Sequence, residues 1–274
     1  MKSLVMCIYL FSFGINYVFS QCNIINSAFK SGEKIEYEIV YNWSFIWIPA
    51  GKVTFTVKSN EINGRPVFQI EAAGNSYKGY DWFFKVRDYF HANIDTVSMS
   101  PLWADRSSNE GNYFSKENYA FDEPSKKIYM TTQTSKSPLH SDTLIMNGCI
   151  YDILTAAFHA RNINYSELKP NEKFPLWTLV DGRVYPIYIR YLGIETITGE
   201  NKQKYSCIKL SSAMIEGTIF KSGEELYIWI TDDKNHLPIL VEAKILVGSV
   251  KALFKGAENL RNPFSSKIKL EINR

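Results

Sequence analysis

The side chains able to do chemistry in this 274-residue chain are scattered rather than assembled. Asp232 and Asp233 are adjacent carboxylates, and a carboxylate pair is what acid–base hydrolysis of a glycan bond requires. They fall within Asp232-Asp233-Lys234-Asn235, a turn signal where an aspartate commonly bonds its own backbone. Asp81, Asp88 and Asp95 recur every seven residues around an aromatic stretch. That period has no meaning on a strand, so they read as solvated positions. His91, His140, His159 and His236 lie far apart, without ligand spacing to one another or to cysteine, and no metal site is expected. No G-x-S-x-G elbow, phosphate-binding glycine loop or H-E-x-x-H helix occurs. The chain therefore reads as non-enzymatic, with no catalytic residue and no cofactor.

The sharper anomaly is aromatic. From Ile39 to Ala50 there is no charge, and the stretch contains Trp43-Ser44-Phe45-Ile46-Trp47-Ile48-Pro49. Pro49 would interrupt a central strand. Two readings stand side by side. One is a buried strand end tucked under a sheet; the other is an aromatic loop at a cavity mouth, meeting an apolar ligand or a lipid surface. Tyr80, Trp82, Phe83 and Phe84 form a second cluster open to the same two readings. Trp43, Phe45, Trp47, Trp82, Phe83 and Phe84 are the candidate ligand-binding residues.

The elements that must position these residues are strands. Ile35, Tyr37, Ile39 and Tyr41 alternate with Lys34, Glu36 and Glu38, and Val53, Phe55 and Val57 alternate with polar neighbours. Period-two patterning of this kind marks a strand with one wet face. Asn63-Gly64 predicts a hairpin turn into Val67 to Ala73. Further strands are expected at Asp88–Ile94, Tyr113–Phe121, Lys127–Thr134, Lys173–Leu179, Val184–Glu195 and Gln203–Ser211. Glu224–Thr231, Ile239–Leu246, Val250–Lys255 and Lys267–Ile272 complete the series. Short polar connections favour antiparallel neighbours. Only Cys149 to Ile163 has helical spacing, with Asn147-Gly148 as its start and Arg161-Asn162 as its end. The expected fold is mainly β: a curved antiparallel sheet or open half-barrel with one packed helix, or alternatively a two-sheet sandwich.

The N-terminus supplies an address. Lys2 precedes the apolar run Leu4 to Phe19, and Val18-Phe19-Ser20 puts modest or small residues before a cut between Ser20 and Gln21. That pattern is a secretory signal peptide, and its apolar run is short of the roughly 20 residues a spanning helix needs. The expected organisation is a leader over residues 1–20 and a single β-rich domain over 21–274, with no transmembrane segment in the mature chain. Gln21 rather than a small residue precedes Cys22, so lipid attachment there is not expected. Cys22, Cys149 and Cys207 remain after cleavage, an odd number from which no pairing follows. Loss of the leader removes Lys2 alone, leaving 30 basic and 28 acidic side chains. So even a balance gives no reason to expect a nucleic-acid partner.

Several segments together resemble a bacterial exported family known as domain of unknown function 3108. They are Phe29-Lys30-Ser31-Gly32-Glu33-Lys34-Ile35-Glu36-Tyr37, similar to that family's F-x-x-G-E-x-L-x-Y opening, and Ala50-Gly51-Lys52-Val53, similar to its second-strand A-G-x-A/V. The others are Trp82–Asp88, ending in V-x-D, Tyr151–Ala157 at the helix, and Trp229-Ile230-Thr231-Asp232-Asp233 followed by Leu237-Pro238. Thr155 and Thr231 stand where the family often has serine. The resemblance implies a β-rich domain of the periplasm or outer envelope of a Gram-negative-type bacterium and carries no assigned activity. Export, β periodicity, one covering helix and two aromatic clusters give the expectation of a protein that binds a lipid-like apolar or amphipathic molecule in a concave sheet. The alternatives are a structural or assembly factor that binds another envelope protein, or a carboxylate-dependent glycan hydrolase.

Overall fold

Alternating apolar and polar residues build one long series of strands in the computed structural model, which describes residues 24–43, 46–200, 202–213, 225–244 and 249–268. The expected leader over residues 1–20, the cut expected between Ser20 and Gln21, and Phe45 lie outside the described residues. The first half is an antiparallel meander: β1 (Lys34–Trp43), β2 (Ile46–Ile62), β3 (Arg65–Ser76), β4 (Val86–Asp95), β5 (Pro101–Glu110), β6 (Tyr113–Asp122), β7 (Lys127–Thr134) and β8 (Ser137–Ile145). The second half begins with β9 (Ile150–Asp152) and continues through β10 (Lys173–Val180), β11 (Arg183–Thr198), β12 (Lys204–Ala213), β13 (Glu225–Thr231), β14 (Pro238–Lys244) and β15 (Ser249–Glu258). Pairing of β1 with β15 joins the halves into a single sheet in the order 8-7-6-5-4-3-2-1-15-14-13-12-11-10-9. A short β16 (Lys267–Ile268) pairs with β12.

The hairpin at Asn63-Gly64 forms as its sequence predicts, both residues at positive φ between Ile62 and Arg65. Two strands escape the alternation rule. β5 buries Ala104 and Ser108, and every residue of β8 except Leu144 is exposed, so neither shows an apolar stripe. The helix is shorter than its spacing predicts, running Ile153–Ala160 and here called α2, after a one-turn helix α1 at Asp81–Phe84. Ile150 to Asp152 are instead extended, because they pair in parallel with Trp177 to Leu179 of β10. The start of α2 is fixed by Asp152, whose Oδ1 accepts from the amides of Leu154 (2.9 Å) and Thr155 (3.0 Å).

The sheet curls around α2. Leu154 and Phe158 of the helix pack with Ile70, Ala92, Ile94 and Ile128 from the first half and Leu179 from the second. Ala156 packs with Ile208, Leu210 and Ile230 on the opposite side. The β10–β11 turn reaches across to the first half: the amide of Asp181 donates to Glu117 Oε2 (3.1 Å) and that of Gly182 to the Tyr119 hydroxyl (3.1 Å). The helix and these two cores occupy the concavity. Two small spaces along α2, one against Arg106 and Glu117 and one against His159, measure about 10 Å³ each, room for one water at most. Among the described residues no helix is long and apolar enough to cross a membrane.

Candidate ligand-binding groove

Of the Trp43–Pro49 stretch, the described residues Trp43 and Ile46–Pro49 are strand, paired across β1 and β2 up to Trp43 opposite Ile46. They lie at the tip of the β1–β2 hairpin, with Ile46 and Trp47 about half exposed. Pro49 is tolerated because β3 pairs no further than Gly51 and because β2 itself bulges at Ala50, which is left unpaired between Gly51 opposite Ile39 and Pro49 opposite Val40. At Gly51 β3 crosses so closely that a side chain would collide with the Asn75 carbonyl oxygen.

Successive residues of a strand face opposite ways, so Glu38 and Leu253 lie on the side turned away from Tyr37 and Phe254. There β1, β2 and β15 carry an open groove of about 260 Å³, lined by Glu38, Val40, Trp47, Pro49, Glu200, Lys251 and Leu253. Val40, buried, forms the floor with Leu253 and Pro49, and Trp47 stands at one side with 48% of its surface exposed. The Lys251 ammonium lies 4.6 Å from the Trp47 ring centre and 3.3 Å from Glu242. The other wall is a chain of polar contacts. Tyr77 donates its hydroxyl to Glu38 Oε1 (3.1 Å), and Lys255 donates to Glu38 Oε2 (3.3 Å) and Glu200 Oε2 (2.5 Å). The hydrogen bond to Glu200 holds the Lys255 ammonium charged above its ordinary range, and burial followed by Glu38 raises the Tyr77 phenol.

The second aromatic cluster lies at the same rim. The Tyr77 amide bonds the Ala50 carbonyl (2.9 Å), so the β3–β4 link leaves the sheet beside the β1–β2 tip. Asp81 anchors the link through Ser76 Oγ (2.6 Å) and Arg87 Nη2 (2.6 Å). Trp82 is 83% exposed on α1, and the Phe84 ring lies over Gly111. Of the six candidate residues, then, Trp47 lines the groove and Trp82 and Phe84 sit on the neighbouring link. The side chains of Trp43, Phe45 and Phe83 lie outside the description. Val40, Lys251, Leu253 and Glu200 escaped sequence reasoning because β15 and the β11–β12 turn supply three of them from far along the chain.

The carboxylates take structural work. Asp233 Oδ1 accepts from Thr231 Oγ1 (2.8 Å) and the Asn235 amide (3.0 Å), and Oδ2 accepts from the Ser266 amide (3.2 Å). Asp232 Oδ2 accepts from Ser206 Oγ (3.2 Å). Asp88 holds Ser108 Oγ (2.7 Å), while Asp95 is buried rather than solvated, bonded to Arg65 and to the amides of Val97 and Ser98. His159 is fully buried with neither ring nitrogen partnered, and desolvation lowers it to about 4. His236 Nδ1 lies 2.7 Å from the Arg161 carbonyl oxygen. Among the described residues no group of three His, Cys, Asp or Glu could hold a metal ion. Cys149 is disulfide-bonded. Cys207 is free and buried, its thiol pushed up to about 12 by desolvation and by the charges of Asp232 and Asp233.

A second polar cluster closes the curl. Arg106 bridges Glu117 (2.9 Å) and Asp181 (3.2 Å), and Tyr119 donates its hydroxyl to Glu117. Burial would raise the Glu117 carboxyl, but Arg106 and the converging hydrogen bonds hold it below the ordinary range. Burial and the neighbouring Glu117 raise Asp181.

One curled antiparallel sheet filled by a helix defines a β-barrel-like protein. A crystal structure described as a beta-barrel-like protein of domain of unknown function DUF1849, from Brucella abortus, is similar over 82% of this chain and 96% of its own, with a TM-score of 0.53 at 7% identity. That likeness is one of fold. The chain belongs to the family of proteins of unknown function DUF3108, whose model matches residues 36–255. No curated protein matches it in sequence. The structure explains the residues that carry the family resemblance. Glu33 is paired with Arg161 in the core, Gly51 permits the close crossing, and Asp88 and Asp152 hold backbone or hydroxyl donors. Thr155 and Thr231 keep the hydroxyl that serine would supply, bonded to Asp152 and Asp233 respectively.

Proposed function

We propose that this chain is an exported, non-enzymatic protein of the periplasm or outer envelope of a Gram-negative-type bacterium, and that it holds a lipid-like amphipathic molecule in the Trp47 groove. The observation that carries this reading is an apolar floor of Val40, Leu253 and Pro49 beside a half-exposed tryptophan, inside a rim of paired charges. Helix α2 fills the concave face, so the ligand sits on the outer face instead. At about 260 Å³ the groove is slightly smaller than an enclosing ligand pocket and fits one segment of an elongated molecule. The Cys149 disulfide and the N-terminal leader both suit an oxidising, exported setting.

Titration of the mature chain with oleate, followed by calorimetry and tryptophan fluorescence, tests the assignment. Saturable binding is expected, weakened about tenfold or more in Trp47→Ala, since that change removes the side wall of the groove. No saturable binding, or binding indifferent to Trp47→Ala, refutes it. Export is tested by N-terminal sequencing of the protein recovered from the periplasm, where Gln21 is the expected first residue.

A second reading draws on α1. Trp82 is almost fully exposed next to Phe84 at the same rim, which suits contact with another envelope protein. Cross-linking of a single partner that is lost in Trp82→Asp, with no oleate binding, favours it.

A further inference from the structure

Among the described residues the strand β8 ends the sheet and pairs on one side only, with β7. The Met146 amide bonds the Lys126 carbonyl (2.8 Å) at the end of that ladder, which sets its parity. His140, Asp142 and Leu144 turn their backbone groups toward β7, and Ser141, Thr143 and Ile145 turn theirs outward. Leu139 and Ile145 are 67% and 69% exposed along this edge. An edge this long is commonly guarded by lysine, a bulge or an outward proline. The register against β7 shifts between Ser137 and His140, at Pro138 and Leu139, but from His140 to Ile145 the edge carries no lysine, bulge or proline.

We propose that β8 is a self-association edge that pairs antiparallel with β8 of a second copy, centred on Ser141. The sequence Leu139-His140-Ser141-Asp142-Thr143 is complementary to itself in that register. Ser141 faces Ser141 in a hydrogen-bonded pair, while each His140 faces the Asp142 of the other copy in the closer, non-hydrogen-bonded pairs. A register centred one residue later would set Asp142 against Asp142, and like charges directly opposite are destabilising. The favoured register also brings β8 of the second copy alongside Ser141 and Thr143. An open groove of about 330 Å³ lies there, lined by Tyr129, Thr131 and Ser141 among others.

Sedimentation velocity on the mature chain over a concentration series tests the pairing. A monomer–dimer equilibrium is expected. His140→Asp should weaken it at least tenfold, and so should Ser141→Pro, which removes an outward amide but none of the β7 ladder. The double exchange H140D/D142H should restore wild-type dimerisation. Circular dichroism monitors folding of each variant, and the amides of Ser141 and Thr143 should gain exchange protection as concentration rises. A chain that stays monomeric, a dimer unmoved by His140→Asp, or a double exchange as weak as the single change each overturns the proposal.

Discussion

Arg161 is where three remote parts of the chain are fastened, and its removal gives the most direct check on the packing argument. Its guanidinium donates to Glu33 Oε1 (2.6 Å) and Oε2 (3.2 Å) and to the Asn235 carbonyl (3.1 Å). The Phe29 and Phe158 rings flank it, their centres 5.5 and 5.2 Å away. Glu33 is 1% exposed and Arg161 6%, so Arg161→Met leaves a carboxylate in the core without its counter-charge. Breaking a buried pair from one side costs about 3–5 kcal/mol. For a domain of this size that corresponds to a fall in Tm of about 6–10 °C. Replacing both partners, Glu33→Met with Arg161→Met, should cost clearly less than the sum of the single changes, because the stranded charge disappears with its partner. Urea unfolding followed by far-UV circular dichroism measures all three variants. A loss below about 1 kcal/mol for Arg161→Met, or strict additivity in the double variant, would refute the idea that this pair fastens the N-terminal segment to α2 and the β13–β14 turn.

Two further predictions concern pH. Burial and Glu117 lift Asp181 to about 6, against roughly 3.9 in an unfolded chain. Its contribution is therefore full below the unfolded value and lost as pH rises through 6. Asp181→Asn, which also suits the positive φ there, should melt higher than wild type above pH 6, with the gain vanishing near pH 4. A gain independent of pH would contradict the assignment. His159 runs the other way: desolvation lowers it to about 4 from roughly 6.5, so its contribution is lost as pH falls through that interval. His159→Phe should flatten the acid limb of the stability curve between those values, read by thermal melts, and an unchanged acid limb would disprove it.

Much of the architecture was legible from residue patterns. Alternation around Tyr37 and Val53, the Asn63-Gly64 turn and the single helical segment act through local geometry, so a mainly β chain with one helix follows from the sequence. β5 and β8 were not legible, because one buries small and polar side chains and the other buries almost nothing. The candidate site was half legible. Trp47 announces itself by type, but its groove depends on Leu253 and Lys251, which only strand pairing brings beside β1.

The sequence by itself determined most of the strands, the turns, the length of the apolar N-terminal run and the lack of a familiar catalytic motif, all properties of neighbouring residues. Tertiary structure alone decided that the sheet curls until Asp181 meets Glu117, and that α2 fills the concave face. It also turned the paired aspartates into turn fasteners and placed the open groove on the outer face. The reason is physical. Each depends on contacts between residues far apart along the chain, and those contacts are set by sheet curvature and packing rather than by local pattern.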